Sequence, residues 1–414
     1  AIAAGAAVLA SGGGGSYGDA RAILQELGQQ GWGGTVQVRD YDGVTNACVL
    51  AIMGSPDAAD RLTLAAIENS IRNSVRLLEV GTGAALGCFI PVEIGPVNSL
   101  VPLIGAVMSQ GAVWVVDGDG AGRAVPQLPQ TTFTGTPLLA PCPCALASDA
   151  DQTRAVESAL LHAPTAAQVE SLAGGVVGGF GGYSGIAMWP SNAGNGHALT
   201  GSYIAGTLEQ VRALGRFLLA ASNPPPTSEV AAMIALVTGR SASAVVTNFY
   251  MTEVTQSTSS ASLDSGIIRL DNTIDPEHST QTHYLYNLNE NLIMYSAAST
   301  MPDVVAPDSI CYYSESTGRG FSNASDDLAE YFNAATGKST GKTVSVIQVR
   351  AAEKLCGTPG VLASFAALLR IQEVRAAGAG RSQALAAAQA ELQQLRGAVG
   401  RAFYELLLLE KLHR

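Results

Sequence analysis

Ala112-Val-Trp-Val-Val-Asp-Gly-Asp-Gly-Ala-Gly-Arg123 joins a run of apolar residues to a turn built of glycines, aspartates and one arginine. The run Ala112–Val116 shows no polar alternation, which marks a strand buried on both faces. Ala47–Met53 reads the same way, and Ala84–Val92 reads as a third strand. Between them, Asp60–Val80 places Leu62, Ala65, Ala66, Ile71, Val75 and Leu78 at helical spacing, and Ser99–Ser109 reads as a helix. Strands of this type separated by helices predict an α/β domain whose mainly parallel sheet is flanked by helices on both faces. Ligands in such sheets bind beyond the carboxyl ends of the strands, where Asp117–Arg123 would lie.

Working outward, Ile2–Ala10 reads as a short apolar helix that ends at Ser11-Gly-Gly-Gly-Gly-Ser16. Asp19–Gln29 restarts a helix with Asp19 as its N-cap, and Thr35–Arg39 alternates like a strand. Thr165–Leu172 is helical, Gly174–Trp189 is Gly-rich and partly strand, and Tyr203–Ala221 is an amphipathic helix. Asn223-Pro-Pro-Pro226 is a stiff hinge or turn. Ser241–Val349 is dominated by strand patterns: Ala244–Val254, Gly266–Leu270, Thr282–Tyr286, Leu292–Ser296, Val304–Tyr312 and Thr343–Val349. From Leu385 to Leu409 apolar residues recur at alternating steps of three and four, a heptad stripe suited to a subunit contact or to packing on the same chain. The expected organisation is an α/β domain over 1–165, a mixed, β-rich domain over 166–358 and a helical tail over 359–414.

The 414 residues carry only 14% charged side chains, with 47% hydrophobic. Disorder as the main state is excluded, and so small a charged surface suits a homo-oligomer. Net charge is 23 − 34 = −11 with no Lys/Arg cluster, which argues against nucleic acid as a partner. Residues 94–116 and 171–208 carry no charge, but prolines, glycines and polar residues interrupt both, so no membrane span is expected. Residues 1–10 lack a basic region, so no signal peptide is expected. Six scattered cysteines form no disulfide framework, and a cytoplasmic location follows as the expectation.

Four stretches could carry chemistry. Gly12–Gly15 lets backbone N–H groups approach an anion or carbonyl oxygen, with a helix N-terminus following; a plain flexible loop is the alternative. Glu93 and Asn98 sit at the end of a strand, as acid–base and orienting groups or as a solvated Glu and a capping Asn. Asp117 and Asp119, two residues apart, could hold a metal ion or activate water, and Arg123 could bind a carboxylate; an Asp–Arg pair with glycine turns is the structural alternative. Ser184, Asn192 and His197 offer polar contacts within a Gly-rich segment. HExxH, HxH and Walker A patterns are all missing, so no nucleotide cofactor is expected.

In order, these stretches resemble the S-methyl thiohydantoin desulfurase family. Its G-T-G-G-G-G-type loop is similar to Ala10–Gly15, and its GxP element falls at Gly54-Ser55-Pro56. Its E-I-G-G-x-N-S is similar to Glu93–Ser99, and its V-D-x-D-x-x-G-R-A-x-P-E to Val116–Gln127. Weaker likenesses fall at Gly206-Thr207 to Gly215-Arg216, Asn289-Glu290 and Pro307–Ile310. Pro96 and Gln127 depart from the pattern, and the tail after Gly360 lies beyond it. The resemblance covers about residues 1–350. It implies an α/β domain joined to a mainly β domain. It also implies hydrolysis at a hydantoin- or thiohydantoin-like ring carbon, with release of thiol or sulfide.

On that reading Glu93, Asp117 and Asp119 are the catalytic candidates, with Asp117 and Asp119 as ligands of a divalent metal, zinc first. Gly12, Gly13, Gly14, Gly15, Asn98, Arg123 and His197 would bind the heterocyclic substrate. The alternatives are a non-catalytic ligand-binding subunit of a hydantoinase-type system, favoured by the departures at Pro96 and Gln127, and a Mg-dependent phosphate-ligand enzyme.

Overall fold

A computed structural model describes residues 1–54, 62–151, 153–258, 264–299 and 301–378. The first sheet has seven strands in the spatial order Val38–Arg39, Trp114–Val116, Cys88–Pro91, Ala47–Gly54, Tyr183–Ser191, Cys144–Ala147, Ser158–Leu161. The first four run parallel. The last three join antiparallel, with Leu50 opposite Ala187. The sheet is therefore mixed where a mainly parallel one was expected. Tyr183–Ser191 enters it from beyond residue 165, so the first layer draws on both sides of the expected boundary.

Strand Ala47–Gly54 is apolar along its length because both its faces are covered. Cys48 and Leu50 point into a core with Ile23, Ile67 and Ile104 from helices α2 (Tyr17–Gln29), α3 (Leu64–Thr82) and α4 (Val101–Met108). Ala47, Val49 and Ala51 point the other way, into a core with Val169, Ala173 and Val177 of α5 (Ala166–Gly179). This is the period-2 rule of a strand with two buried faces. The cap of α2 is Ser16, whose hydroxyl accepts from the Asp19 N–H at 3.3 Å; Asp19 itself stands one turn in.

The second sheet is antiparallel and nearly closes into a barrel. Its order is Val304–Val305, Glu290–Ser296, Thr282–Leu288, Asp264–Asp271, Ala242–Thr258, Thr343–Val349, Ser309–Tyr313, and the two ends of that order pack side by side. The segment expected as one strand over Val304–Tyr312 is two, separated by Ala306-Pro307-Asp308, because proline cannot donate to a ladder.

Helices α1 (Ile2–Leu9), α6 (Thr207–Ala220) and α7 (Thr227–Thr238) pack against this sheet through Val8, Val211, Ile234, Cys311 and Ile347. α1 and α6 touch backbone to backbone: a Cβ on Gly5 would lie 1.9 Å from the Val211 carbonyl oxygen. No helix among the described residues is long and apolar enough to cross a membrane. The last described helix is Val361–Gly378; the heptad stripe Leu385–Leu409, and with it the expected subunit contact, lies outside the described residues, as do Ser55 and Pro56.

Candidate active site

Beyond the strand Cys88–Pro91 the chain is laced to the loop after Trp114–Val116. The Gly120 N–H donates to the Val92 carbonyl at 3.0 Å, and the Ile94 N–H to the Arg123 carbonyl at 3.2 Å. This fixes Glu93 between two donors. Its Oε1 accepts from Asn98 Nδ2 at 2.8 Å and its Oε2 from the Val125 N–H at 2.7 Å. Asn98 in turn accepts from the Ile52 N–H at 3.1 Å, so one amide ties the end of the central strand to the Glu93 carboxyl.

The glycine loop supplies the next layer. The Gly14 carbonyl accepts from the N–H groups of Val97 and Asn98 at 3.0 and 3.2 Å. A Cβ on Gly14, at φ +70°, would stand 2.3 Å from the Gly95 Cα, and one on Gly13 would stand 1.8 Å from Glu290 Oε1. Only glycine admits this approach. It brings Glu290, at the first position of strand Glu290–Ser296, against the loop, where the Gly14 backbone bonds its carboxyl.

Gly14, Gly15, Glu93, Asn98, Glu170 and Glu290 line one cavity of about 120 Å³ whose walls are otherwise mainly apolar, among them Ile52, Val97, Leu128, Ile186 and Met188. That is room for several waters or one small ligand. Burial is the main force on its carboxyls. It pushes Glu93 up to about 7 against the pull of the Val125 and Asn98 bonds, and neighbouring Asp119 raises it further while Arg123 opposes. Glu290 is pushed well above the usual range, by burial first and then by the charge of Glu93. Its Oε2 is buried without a hydrogen-bond partner. Glu170, on α5, is pushed to about 7 by burial, and its Oε2 accepts from the Leu128 N–H at 2.9 Å.

The other sequence-derived candidates lie elsewhere. Asp119 is fully buried and does not line the cavity; its carboxylate accepts from the N–H groups of Ala121 at 2.8 Å and Gly122 at 2.8 and 3.1 Å, which sets the turn before Arg123. Arg123 is spent on backbone carbonyls. Its Nε donates to Ala124 at 2.8 Å, Nη1 to Pro307 at 3.0 Å and Asp308 at 2.8 Å, and Nη2 to Asn291 at 3.0 Å. It clamps the second sheet to the first and stands behind Glu93 and Glu290 without reaching the cavity. Asp117 caps α6, accepting from the N–H groups of Leu208 at 3.0 Å and Glu209 at 3.2 Å, and borders a separate groove. His197 sits in another surface pocket, its Nδ1 3.1 Å from the Tyr41 hydroxyl. Gly12 and Gly13 back the cavity and leave its lining to Gly14 and Gly15.

The metal expectation fares the same way. Asp117 and Asp119 are each occupied by backbone donors, and among the described residues no three His, Cys, Asp or Glu side chains come together to hold an ion. The donor set does not fit zinc.

Two cavity carboxyls were not read as site residues. Glu290 was visible only as part of a family likeness. Glu170 carries a signal of its own: with Ala166, Val169, Ala173 and Val177 it falls on the buried stripe of α5, where a carboxylate is out of place unless used.

The models of the S-Me-THD-like N-terminal and C-terminal domains match residues 1–158 and 164–366. The chain belongs to the S-Me-THD-like family. A crystal structure of a protein from Chromobacterium violaceum shares the fold, at 23% identity over 89% of this chain and 94% of that one, with a TM-score of 0.69. No curated protein matches the sequence. The two S-Me-THD-like domains interlock: the second supplies Tyr183–Ser191 to the sheet of the first, and the cavity takes Glu93 and Asn98 from the first and Glu170 and Glu290 from the second.

Proposed function

We propose that this cavity hydrolyses the carbon–sulfur bond of a thiohydantoin-type ring, an S-methylated one first. The observation that carries the reading is a pair of buried carboxyls, Glu93 and Glu290, one from each domain, on one small apolar cavity and pushed upward to different extents. Two carboxyls whose surroundings separate their proton affinities can divide acid and base roles.

Glu93, ionised above about pH 7, takes a proton from water as the water oxygen bonds to the ring carbon that bears sulfur. Glu290, which keeps its proton, delivers it to the ring nitrogen as the C=N bond becomes C–N. The tetrahedral centre then collapses to a carbonyl as its hydroxyl proton passes out to solvent, the C–S bond breaks, and the thiolate leaves with the proton held by Glu93. The sum is S-methyl thiohydantoin plus water giving hydantoin plus methanethiol. Glu290 is left ionised, and solvent returns its proton. The Gly15 N–H lacks a protein acceptor among the described residues and could support the charge that develops at the ring.

No step runs through a metal. Among the described residues the cavity lining contains no Lys or Arg, which disfavours the phosphate-ligand reading. Six free cysteines suit a reducing, cytoplasmic compartment. The test is methanethiol release from an S-methyl thiohydantoin in H₂¹⁸O, with the label appearing in the hydantoin carbonyl. Glu93→Gln and Glu290→Gln should each lower the rate by roughly 10²–10⁴-fold. Turnover that survives both substitutions would refute the roles, and no release by the native chain would refute the activity.

A further inference from the structure

The carbon–sulfur chemistry leaves one cavity group without a task. Glu170 lies on the same cavity as Glu93 and Glu290, but on α5. Glu93 holds the Val125 N–H and Glu170 the Leu128 N–H, so the two carboxyls grip one short wall segment three residues apart. Three residues span at most about 11 Å of chain, and a five-membered ring fits between side chains that reach in from its ends. One Glu170 oxygen is used by Leu128, and the other has no protein partner among the described residues.

Resting on the reading above, we propose that Glu170 is a positioning and specificity residue: its free oxygen donates a hydrogen bond to the ring carbonyl on the side away from the reacting carbon. The ligand class is thereby narrowed to rings that carry an amide carbonyl there, as hydantoins and thiohydantoins do and simple cyclic ureas do not.

Three features support this. Every other carboxyl on the cavity has a role in the water or proton steps. Among the described residues the lining offers no Lys or Arg to take a carbonyl oxygen. Burial, opposed only by the Leu128 bond among the described residues, holds the Glu170 proton up to about 7, so a donor is present below about pH 7. The titratable groups around it do not supply that proton. Cys144 is a buried neutral thiol, the Tyr183 hydroxyl donates to Asp149 at 2.6 Å, and Glu93 and Glu290 serve the reacting end.

The experiment is calorimetric binding of hydantoin and of 2-imidazolidinone, which lacks the second carbonyl, to the native chain, Glu170→Gln and Glu170→Ala. Gln keeps an acceptor for Leu128 and presents an N–H to the cavity at every pH. Hydantoin should bind the native chain and Glu170→Gln alike at pH 6 and roughly tenfold more weakly to Glu170→Ala, the loss of one buried hydrogen bond. 2-Imidazolidinone should bind all three alike. Between pH 6 and 8.5 hydantoin should weaken on the native chain but not on Glu170→Gln. If Glu170→Ala weakens both rings equally, or the native chain shows no pH dependence that Glu170→Gln removes, the assignment falls while the ring-binding reading stands. If hydantoin fails to bind the native chain, both fall.

Discussion

Replacing Glu93 by Gln exchanges a carboxyl that accepts from two N–H donors for an amide with one acceptor. Asn98 cannot turn to help, because its oxygen already takes the Ile52 N–H. One buried donor is left unmatched, which costs about 1–3 kcal/mol at any pH. A second effect runs the other way. The Glu93 carboxyl is raised from an ordinary 4.5 to about 7, mainly by burial. That displacement is worth on the order of 3 kcal/mol at most. Below pH 4.5 the group is neutral folded and unfolded, and the penalty is absent. Between 4.5 and about 7 the unfolded chain loses its proton first, so native stability falls as pH rises; above about 7 the penalty is complete. Gln escapes it. Urea unfolding should therefore find Glu93→Gln less stable than the native chain by about 1–3 kcal/mol at pH 4, with the gap closing or reversing by pH 9. A gap that stays constant from pH 4 to 9 would show that Glu93 does not hold a displaced proton, and would remove it as the base.

Arg123→Met should lower the melting temperature by many degrees at every pH, because it orphans carbonyls of Ala124, Asn291, Pro307 and Asp308; losing one side of a buried charged network typically costs about 3–5 kcal/mol. A thermal scan that is unchanged would refute the clamp. Asp119→Asn should melt earlier yet keep turnover per folded molecule within a few-fold, since its carboxylate shapes the Ala121–Gly122 turn and does not line the cavity; a large loss of turnover in a stable protein would return Asp119 to the site. Gly13→Ala should displace the Glu290 carboxyl, which stands where the new methyl would go, and cut methanethiol release more than it cuts stability. Prolonged chelation should leave turnover unchanged, because the carboxyls of the described residues are not arranged as an ion's ligands; loss restored by zinc would overturn that.

Much of the first layer was legible because burial on both faces writes itself into composition. Ala47–Met53 and the end of Ala112–Val116 are apolar at every position, and the strands found there serve two cores at once. The direction of Tyr183–Ser191 was not legible, since pairing between residues 50 and 187 leaves no local trace. Within the site, Glu93 and Asn98 could be placed because they follow a strand end. Asp117 and Asp119 follow one too, but a sequence does not show which carboxylates will find backbone donors of their own. Asp117 meets the start of α6, ninety-one residues away at Leu208, and Asp119 meets the turn it precedes. Glu290 entered the cavity through a contact with Gly13 across the two domains, a distance no periodicity spans.

The apolar helix α1 has consequences for how the chain is made. Its residues from Ala3 to Leu9 are buried, and their partners are α6 and strand Ser309–Tyr313. Leu9 and Ser309 are 300 residues apart. At roughly 5–20 residues per second, the ribosome needs on the order of 15–60 s to deliver the second after the first. Through that interval a sticky segment waits without the whole of its binding surface, and until residue 290 is made the glycine loop behind it has no Glu290 to enclose. The cavity is thus among the last parts of the molecule that synthesis permits to form, and a nascent chain halted before residue 290 should be a client for chaperones that shield apolar helices.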